Sequence, residues 1–438
     1  MTQVSESVID ARLNVALQSI SWRDGTAVFG RGEVAVEELA TTYGTPLYAY
    51  DEAAMERQYA LLRKTLSSSV DIYYSIKANP HPAIIDVFLR MGAGCEIASG
   101  GEYVLARRAG APAERIVFAG PGKGRDELEC VVTRGIGEIH VESFDEVELL
   151  DVITRRLQKS VSVSIRINPR RAAGAGGLMM AGQPTVFGFE EEVLPDAINA
   201  IARCSQLDLR GIHVYSGTQI LESKSLIKNW WRAIELAKRA ADLAGHPMAT
   251  VDLGGGLGVP YFAHERPLDL EALRDGAKEL FEQTKFDENL VRAQFIVEPG
   301  RFLVASAGVY VARVRSVKTC RGTTFVVLDG GMNHHLAASG NLGQVVRRDY
   351  PIVNLSRSQT EPVTTVVIVG PLCTPIDTVG RQVKMPKPRV GDLLGILQSG
   401  AYGLTASPTQ FLNHPTPAEL LVRGRVVEQI TQRGITFE

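Results

Sequence analysis

Cysteine is scarce and unpatterned in this chain. The five cysteines (Cys95, Cys130, Cys204, Cys320, Cys373) are odd in number and never fall as CxxC. That speaks against a zinc site and against a disulfide framework, and it suits a reducing cytoplasm; no metal is expected at the functional site. A surplus of charge is lacking too. The net charge of −2 gives no bulk pull toward nucleic acid or a membrane surface. No apolar run is long enough to span a bilayer, and Met1-Thr-Gln-Val-Ser-Glu-Ser7 lacks the basic-then-apolar order of a signal peptide. There is no repeat of solenoid period and no low-complexity tract. The nearest to one is Ala172-Ala-Gly-Ala-Gly-Gly177, expected to be a loop between the fifth and sixth strands of the series below. What remains is an ordinary globular composition in 438 residues, too many for one ordinary core, so two domains are expected.

The pattern that is present starts at residue 72. Strand-like runs at 72–77, 94–97, 115–119, 138–142, 161–167, 209–215, 249–253 and 294–298 alternate with helix-like stretches. One such stretch carries Ile227, Trp230, Ile234, Ala237 and Ala241 at helical spacing and ends at Gly245, which makes its tryptophans packing residues. Eight strands alternating with helices predict a (β/α)8 barrel over an open doubly wound sheet. Pro46–Asp51 reads as a strand and 52–66 as a polar helix. After Arg301 the texture turns to strands with few helices, at 309–317, 323–329, 363–369 and 419–427, with a loop at 380–391. The expected division is an N-terminal segment at 1–44, a barrel at 45–305 and an all-β domain at 306–438.

In such a barrel, functional groups gather at the carboxyl ends of the strands. Those ends carry Lys77, Glu96, Gly120, Asn168, His213, the Gly254-Gly255-Gly256 triplet, and Glu298 with Arg301. Turn-rich strand ends account for the glycines but poorly for the amine, acid and imidazole. A glycine-rich turn after a strand lets an anion approach several N–H groups, as a phosphate requires. Its spacing fits neither the P-loop nor the dinucleotide fingerprint. Lys77 would bind the aldehyde of pyridoxal phosphate. Glu298 would face the cofactor's ring nitrogen, and His213 would lie flat on its ring. Taken singly, each has a plainer reading: a surface lysine, a turn carboxylate, a packed core histidine.

Six motifs then carry a resemblance. Tyr74-Ser-Ile-Lys77-Ala-Asn-Pro80, His213-Val-Tyr-Ser216-Gly-Thr-Gln219, Gly254-Gly-Gly-Leu-Gly-Val-Pro-Tyr261, Glu298-Pro-Gly-Arg301, Gly370-Pro-Leu-Cys373 and Gly400-Ala-Tyr402-Gly403 resemble the fold-type III pyridoxal phosphate decarboxylases. That family includes the diaminopimelate, ornithine and arginine decarboxylases and shares its barrel with alanine racemase. The resemblance implies that Lys77 is the Schiff-base lysine and that His213 stacks on the ring. It implies that Ser216, Gly255, Gly256, Gly300, Arg301 and Tyr402 hold the phosphate, with Glu96 near the cofactor. It implies that Cys373 enters from a partner subunit and protonates Cα, so the family works as a homodimer with shared sites. Arg301, Cys373, Thr374 and Tyr402 are then the substrate-facing positions. The β domain would take in the N-terminal segment. A cysteine suits proton donation because its reference pKa, about 8.5, leaves it mostly protonated; a small buried hydrophobe is the plainer role.

The match has departures. After Asp329-Gly-Gly-Met332 the diaminopimelate enzymes carry Arg-Pro-x-x-Tyr, which grips a distal carboxylate; here Asn333-His-His-Leu-Ala-Ala338 follows. After the cysteine they carry a glutamate that reads the far amino group, and ornithine-type enzymes an aspartate; here Thr374 stands there. An unpartnered charge in a closed site is costly, so a substrate with a neutral, extended or carrier-tethered side chain is expected. Leu178–Gly188, His334–Asn341 and Cys373–Asp377 look most like the butirosin-pathway type, which acts on amino acids held on an acyl carrier protein. Three alternatives stay open: a diaminopimelate decarboxylase acting on free substrate, an amino-acid racemase on the same barrel, and a non-catalytic cofactor binder. The carboxylate of Glu298 speaks against the racemase, which places an arginine by the ring nitrogen. The extra β domain and Cys373 speak against the binder.

Overall fold

Eight short runs of β-branched, aromatic and small apolar residues set the architecture. The computed structural model describes residues 19–434, apart from 24, 171–177, 180–183, 263, 345 and 359, and the chain divides into two compact units. The loop expected at Ala172–Gly177 lies outside the described residues.

The first unit holds residues 58–258 and 268–302. Its strands are β1 (Val70–Ser75), β2 (Gly94–Ile97), β3 (Ile116–Phe118), β4 (Glu138–Val141), β5 (Val161–Asn168), β6 (Leu207–Val214), β7 (Thr250–Asp252) and β8 (Gln294–Val297). Each pairs in parallel with the next, β8 pairs with β1, and the sheet is thereby closed. This is the (β/α)8 barrel the alternating pattern predicts. Burial on both faces explains the nearly continuous apolar strands. Tyr73, Val117 and Ile296 form one buried cluster contributed by three strands. The tryptophan-bearing helix spans Ser223–Ala244; it buries Trp230, Ile234, Ala237 and Ala241 and stops where Gly245 adopts φ +74°.

The second unit holds residues 19–57, 259–267 and 303–434 of the described chain and is mostly sheet. Its strands are β9 (Gly308–Cys320), β10 (Thr323–Leu328), β11 (Ile352–Asn354), β12 (Val363–Val369), β13 (Thr378–Pro386), β14 (Leu393–Ile396), β15 (Ala418–Arg423) and β16 (Val426–Thr431). The strand Leu47–Asp51 lies between β9 and β15. The chain therefore stays in this unit past residue 44, where the sequence placed a boundary, because a strand's partners are not written in its own residues. Phe29, Leu39, Leu47, Val309 and Leu420 share its core, so the N-terminal segment helps complete it.

Two further expectations change. The loop at 380–391 gives way to β13 for its first part, antiparallel to β12; Pro386 ends that strand rather than breaking it. The run 419–427 is a hairpin that turns at Gly424, φ +59°. No helix among the described residues is long and apolar enough to cross a membrane.

Candidate active site

Strand alternation decides which side chains enter the barrel. At the carboxyl ends, Lys77, Glu96, His213, Ser216, the glycine triplet, Glu298, Gly300 and Arg301 all belong to one unit and close successive strands.

Strand β1 ends at Ser75, and Lys77 sits in the 3-10 turn Ile76–Ala78 rather than in the strand. Buried Ile76 and Ala78 pin that turn on both sides of the lysine. Tyr74 donates its hydroxyl to the carbonyl of Asn79 (3.0 Å), and the Ser75 N–H donates to the carbonyl of Pro299 (3.3 Å). The ammonium of Lys77 donates to both oxygens of Glu96, at 2.9 and 3.0 Å. Ser75 Oγ donates to Glu96 Oε2 at 2.5 Å. The Glu96 side chain is only 1% exposed against 39% for Lys77, so a buried carboxylate holds a reachable amine.

Glu298 follows β8 and His213 lies near the end of β6; Oε2 and Nε2 are 3.4 Å apart. Burial pushes the imidazole down to about 4, against the pull of Glu298, so it is neutral at neutral pH. Burial pushes the Glu298 carboxyl up, but His213, His140 and Lys77 outweigh it and hold the group below the ordinary carboxylate range. Glu298 Oε1 is buried and receives no hydrogen bond from any N–H.

The glycine turn is required by crowding. Gly254 and Gly256 have φ +69° and +95°. A Cβ on Gly255 would stand 2.4 Å from the carbonyl oxygen of Glu298, and one on Gly256 would stand 2.6 Å from that of Gly217. A Cβ on Gly300 would meet both Ala78 and Ser75 at 3.0 Å, which ties the Glu-Pro-Gly-Arg turn to the lysine turn. Ser216, half-buried, precedes Gly217. Gly120, two residues past β3, donates its N–H to Glu142 (2.5 Å), and Glu142 also pairs with Arg166 (2.7 Å). Asn168 is the last residue of β5.

Cys373, Thr374 and Tyr402 lie in the other unit. Cys373 is exposed, Thr374 is half-buried, and Tyr402 takes φ +53°. Sequence reasoning passed over His140, Asp252 and Glu138. The ring of His140 packs against that of His213, centroids 4.5 Å apart and planes tilted by 36°. One ligand atom from each of His140, His213, Asp252 and Glu298 lies within 4.8 Å of the others. The available signal was polar residues at alternate positions of otherwise apolar strands.

These residues fit pyridoxal phosphate on structural grounds. A reachable amine sits at one strand end, and a buried carboxylate oxygen without an N–H partner waits for a cationic ring nitrogen. Side-chain-free backbone adjoins both, Gly255 against Glu298 and Gly300 against the lysine turn.

Residues 52–305 match the pyridoxal binding domain of the pyridoxal-dependent decarboxylases. The chain is 39% identical to the L-glutamyl-[BtrI acyl-carrier protein] decarboxylase of Niallia circulans, over 92% of this chain and 94% of that protein. It is 32% identical to the 2-[(L-alanin-3-ylcarbamoyl)methyl]-2-hydroxybutanedioate decarboxylase of Staphylococcus aureus, over 87% and 95%. The solved diaminopimelate decarboxylase of M. jannaschii superposes with a TM-score of 0.87 at 25% identity, covering 96% of each chain. A barrel of this closure, joined to a mostly-sheet unit and matched along nearly its whole length, belongs to the pyridoxal-dependent decarboxylase family, and the chain is a pyridoxal phosphate enzyme that decarboxylates an amino acid.

Proposed function

We propose that the substrate is an α-amino acid whose side chain is neutral, extended or tethered to a carrier, as in a glutamyl group held on an acyl carrier protein. One observation carries this reading. The segment that stands where the diaminopimelate enzymes carry their distal-carboxylate grip offers no cation. His334 and His335 are fully buried, and burial pushes them down to about 4 and about 3. Tyr310 lies 3.3 Å from His334 and Ser399 lies 2.9 Å from His335, so both rings are engaged by their own unit. Thr374, in turn, offers no charge to a distal ammonium. The Niallia and Staphylococcus relatives support the reading, since their named substrates carry a carrier-linked glutamyl group and a carbamoyl-linked alanine.

Within that reading, Lys77 would hold the cofactor through its aldehyde, and Glu96 orients the lysine amine. His213, as a neutral imidazole, would lie against the cofactor's ring, and Glu298 would hold the proton of its ring nitrogen. Ser216, Gly255, Gly256, Gly300, Arg301 and Tyr402 hold the phosphate. When bound, pyridoxal phosphate supplies the electron sink for the pair left by the broken Cα–carboxylate bond. Cys373 of the partner subunit returns a proton to Cα, which makes a homodimer the working unit. Arg301, Thr374 and Tyr402 face the substrate.

The test is carbon dioxide release by purified enzyme. Glutamate linked through its side chain to an acyl carrier protein, or to a small thiol or amine, should be turned over. Rapid release from free diaminopimelate, lysine, ornithine or arginine would contradict the proposal.

A further inference from the structure

Two buried carboxyl groups face each other at the end of the barrel. Asp252 ends β7 with no exposed surface, and Glu298 follows β8 at 4% exposure. One oxygen of each lies within 4.8 Å of the other. Asp252 Oδ1 accepts the N–H of Gly254 at 2.8 Å, whereas Oδ2 receives no N–H. The titratable groups around Asp252 are Glu298 after β8, Glu138 and His140 on β4, Tyr73 on β1 and His213 on β6. His140 Nε2 stands 3.9 Å from Asp252 Oδ2 and 3.4 Å from Glu138 Oε1. Among the described residues no lysine or arginine pairs with Asp252.

Two buried carboxyls this close do not both ionise; they share one proton. The surroundings decide which one keeps it. Burial, then Glu298, then Glu138 push Asp252 well above the ordinary carboxylate range. Glu298 instead faces His213 and His140 and feels Lys77, which favour its anion.

We propose that Asp252 is a positioning residue that donates its carboxyl O–H to Glu298. The bond fixes the Glu298 carboxylate and lowers its basicity, so the proton between Glu298 and the cofactor's ring nitrogen stays on the nitrogen. The inference rests on Glu298 as the partner of that nitrogen.

The direct test is an infrared difference spectrum between the wild-type holoenzyme and D252N at neutral pH. A protonated-carboxyl C=O band, lost in D252N, is the expected result. Loss of ionised-carboxylate bands instead would overturn the proposal. The amide of D252N still donates an N–H, so its affinity for pyridoxal phosphate should stay within about threefold of wild type, while D252A should lose about tenfold or more, as expected for removing a hydrogen bond to a charged group. Equal losses in both variants would overturn the donor role. If D252A does not fold, the infrared comparison decides alone. E298Q separates the underlying reading: an unchanged visible spectrum of the bound cofactor in E298Q would remove Glu298 from the ring nitrogen, whatever Asp252 does.

Discussion

Glu298 Oε2 stands 3.4 Å from Nε2 of His213, and both side chains are 2% exposed. With the imidazole neutral and the carboxyl ionised, the pair presents one anion beside one uncharged ring. That is the arrangement a flat cationic heterocycle would meet best: charge at its edge and an aromatic surface at its face.

Replacing Glu298 by glutamine keeps the shape and removes the charge. Decarboxylation should fall on the order of 100-fold, the scale for losing one preorganised electrostatic contact in a catalytic site. Cofactor should still bind. Single-turnover carbon dioxide release measures the first, and the visible spectrum measures the second.

Glu96 holds Lys77 with both oxygens, so Glu96→Gln should slow reaction of the lysine with added pyridoxal phosphate by about tenfold or more. Stopped-flow absorbance of the apoenzyme reads this. An unchanged rate would mean that the ion pair does not orient the amine.

Gly256→Ala puts a methyl 2.6 Å from the carbonyl of Gly217 at φ +95°. Backbone strain of this kind costs about 1–3 kcal/mol. Thermal unfolding of the variant should move down, and the affinity for pyridoxal phosphate should drop with it. Gly122→Ala has open space around it and serves as the control.

Three buried histidines predict a pH dependence of stability. In the folded protein His213 and His334 titrate at about 4 and His335 at about 3. Unfolded, each titrates near ~6.5. The folded state therefore binds fewer protons in this window, and stability falls as pH drops below ~6.5, levelling off only below the folded values. Denaturant unfolding at stepped pH checks this. His335→Gln should make the acid slope shallower between ~6.5 and about 4, and an unchanged slope would contradict the assignment.

Much of this was legible in the chain. The period of the apolar runs marks the barrel, because each strand is buried on both faces and each helix on one. Lys77, His213 and Glu298 stand at strand ends, where side-chain direction follows from counting. The importance of Asp252 and His140 was not legible, since it comes from which strands adjoin them: β7 beside β8, and β4 separated from β6 only by β5. The placement of Leu47–Asp51 was hidden for the same reason; its partners β9 and β15 lie more than two hundred residues away along the chain. Pro386 misled because proline at a strand's last residue looks, in sequence, like proline in a loop.

The most direct test of the account is where the cofactor attaches. Purified enzyme should be yellow with pyridoxal phosphate, borohydride should bleach it, and mass analysis of the digest should place a pyridoxyl group on Lys77. Colourless protein that stays colourless after the cofactor is supplied, or a label carried by any other lysine, would contradict it.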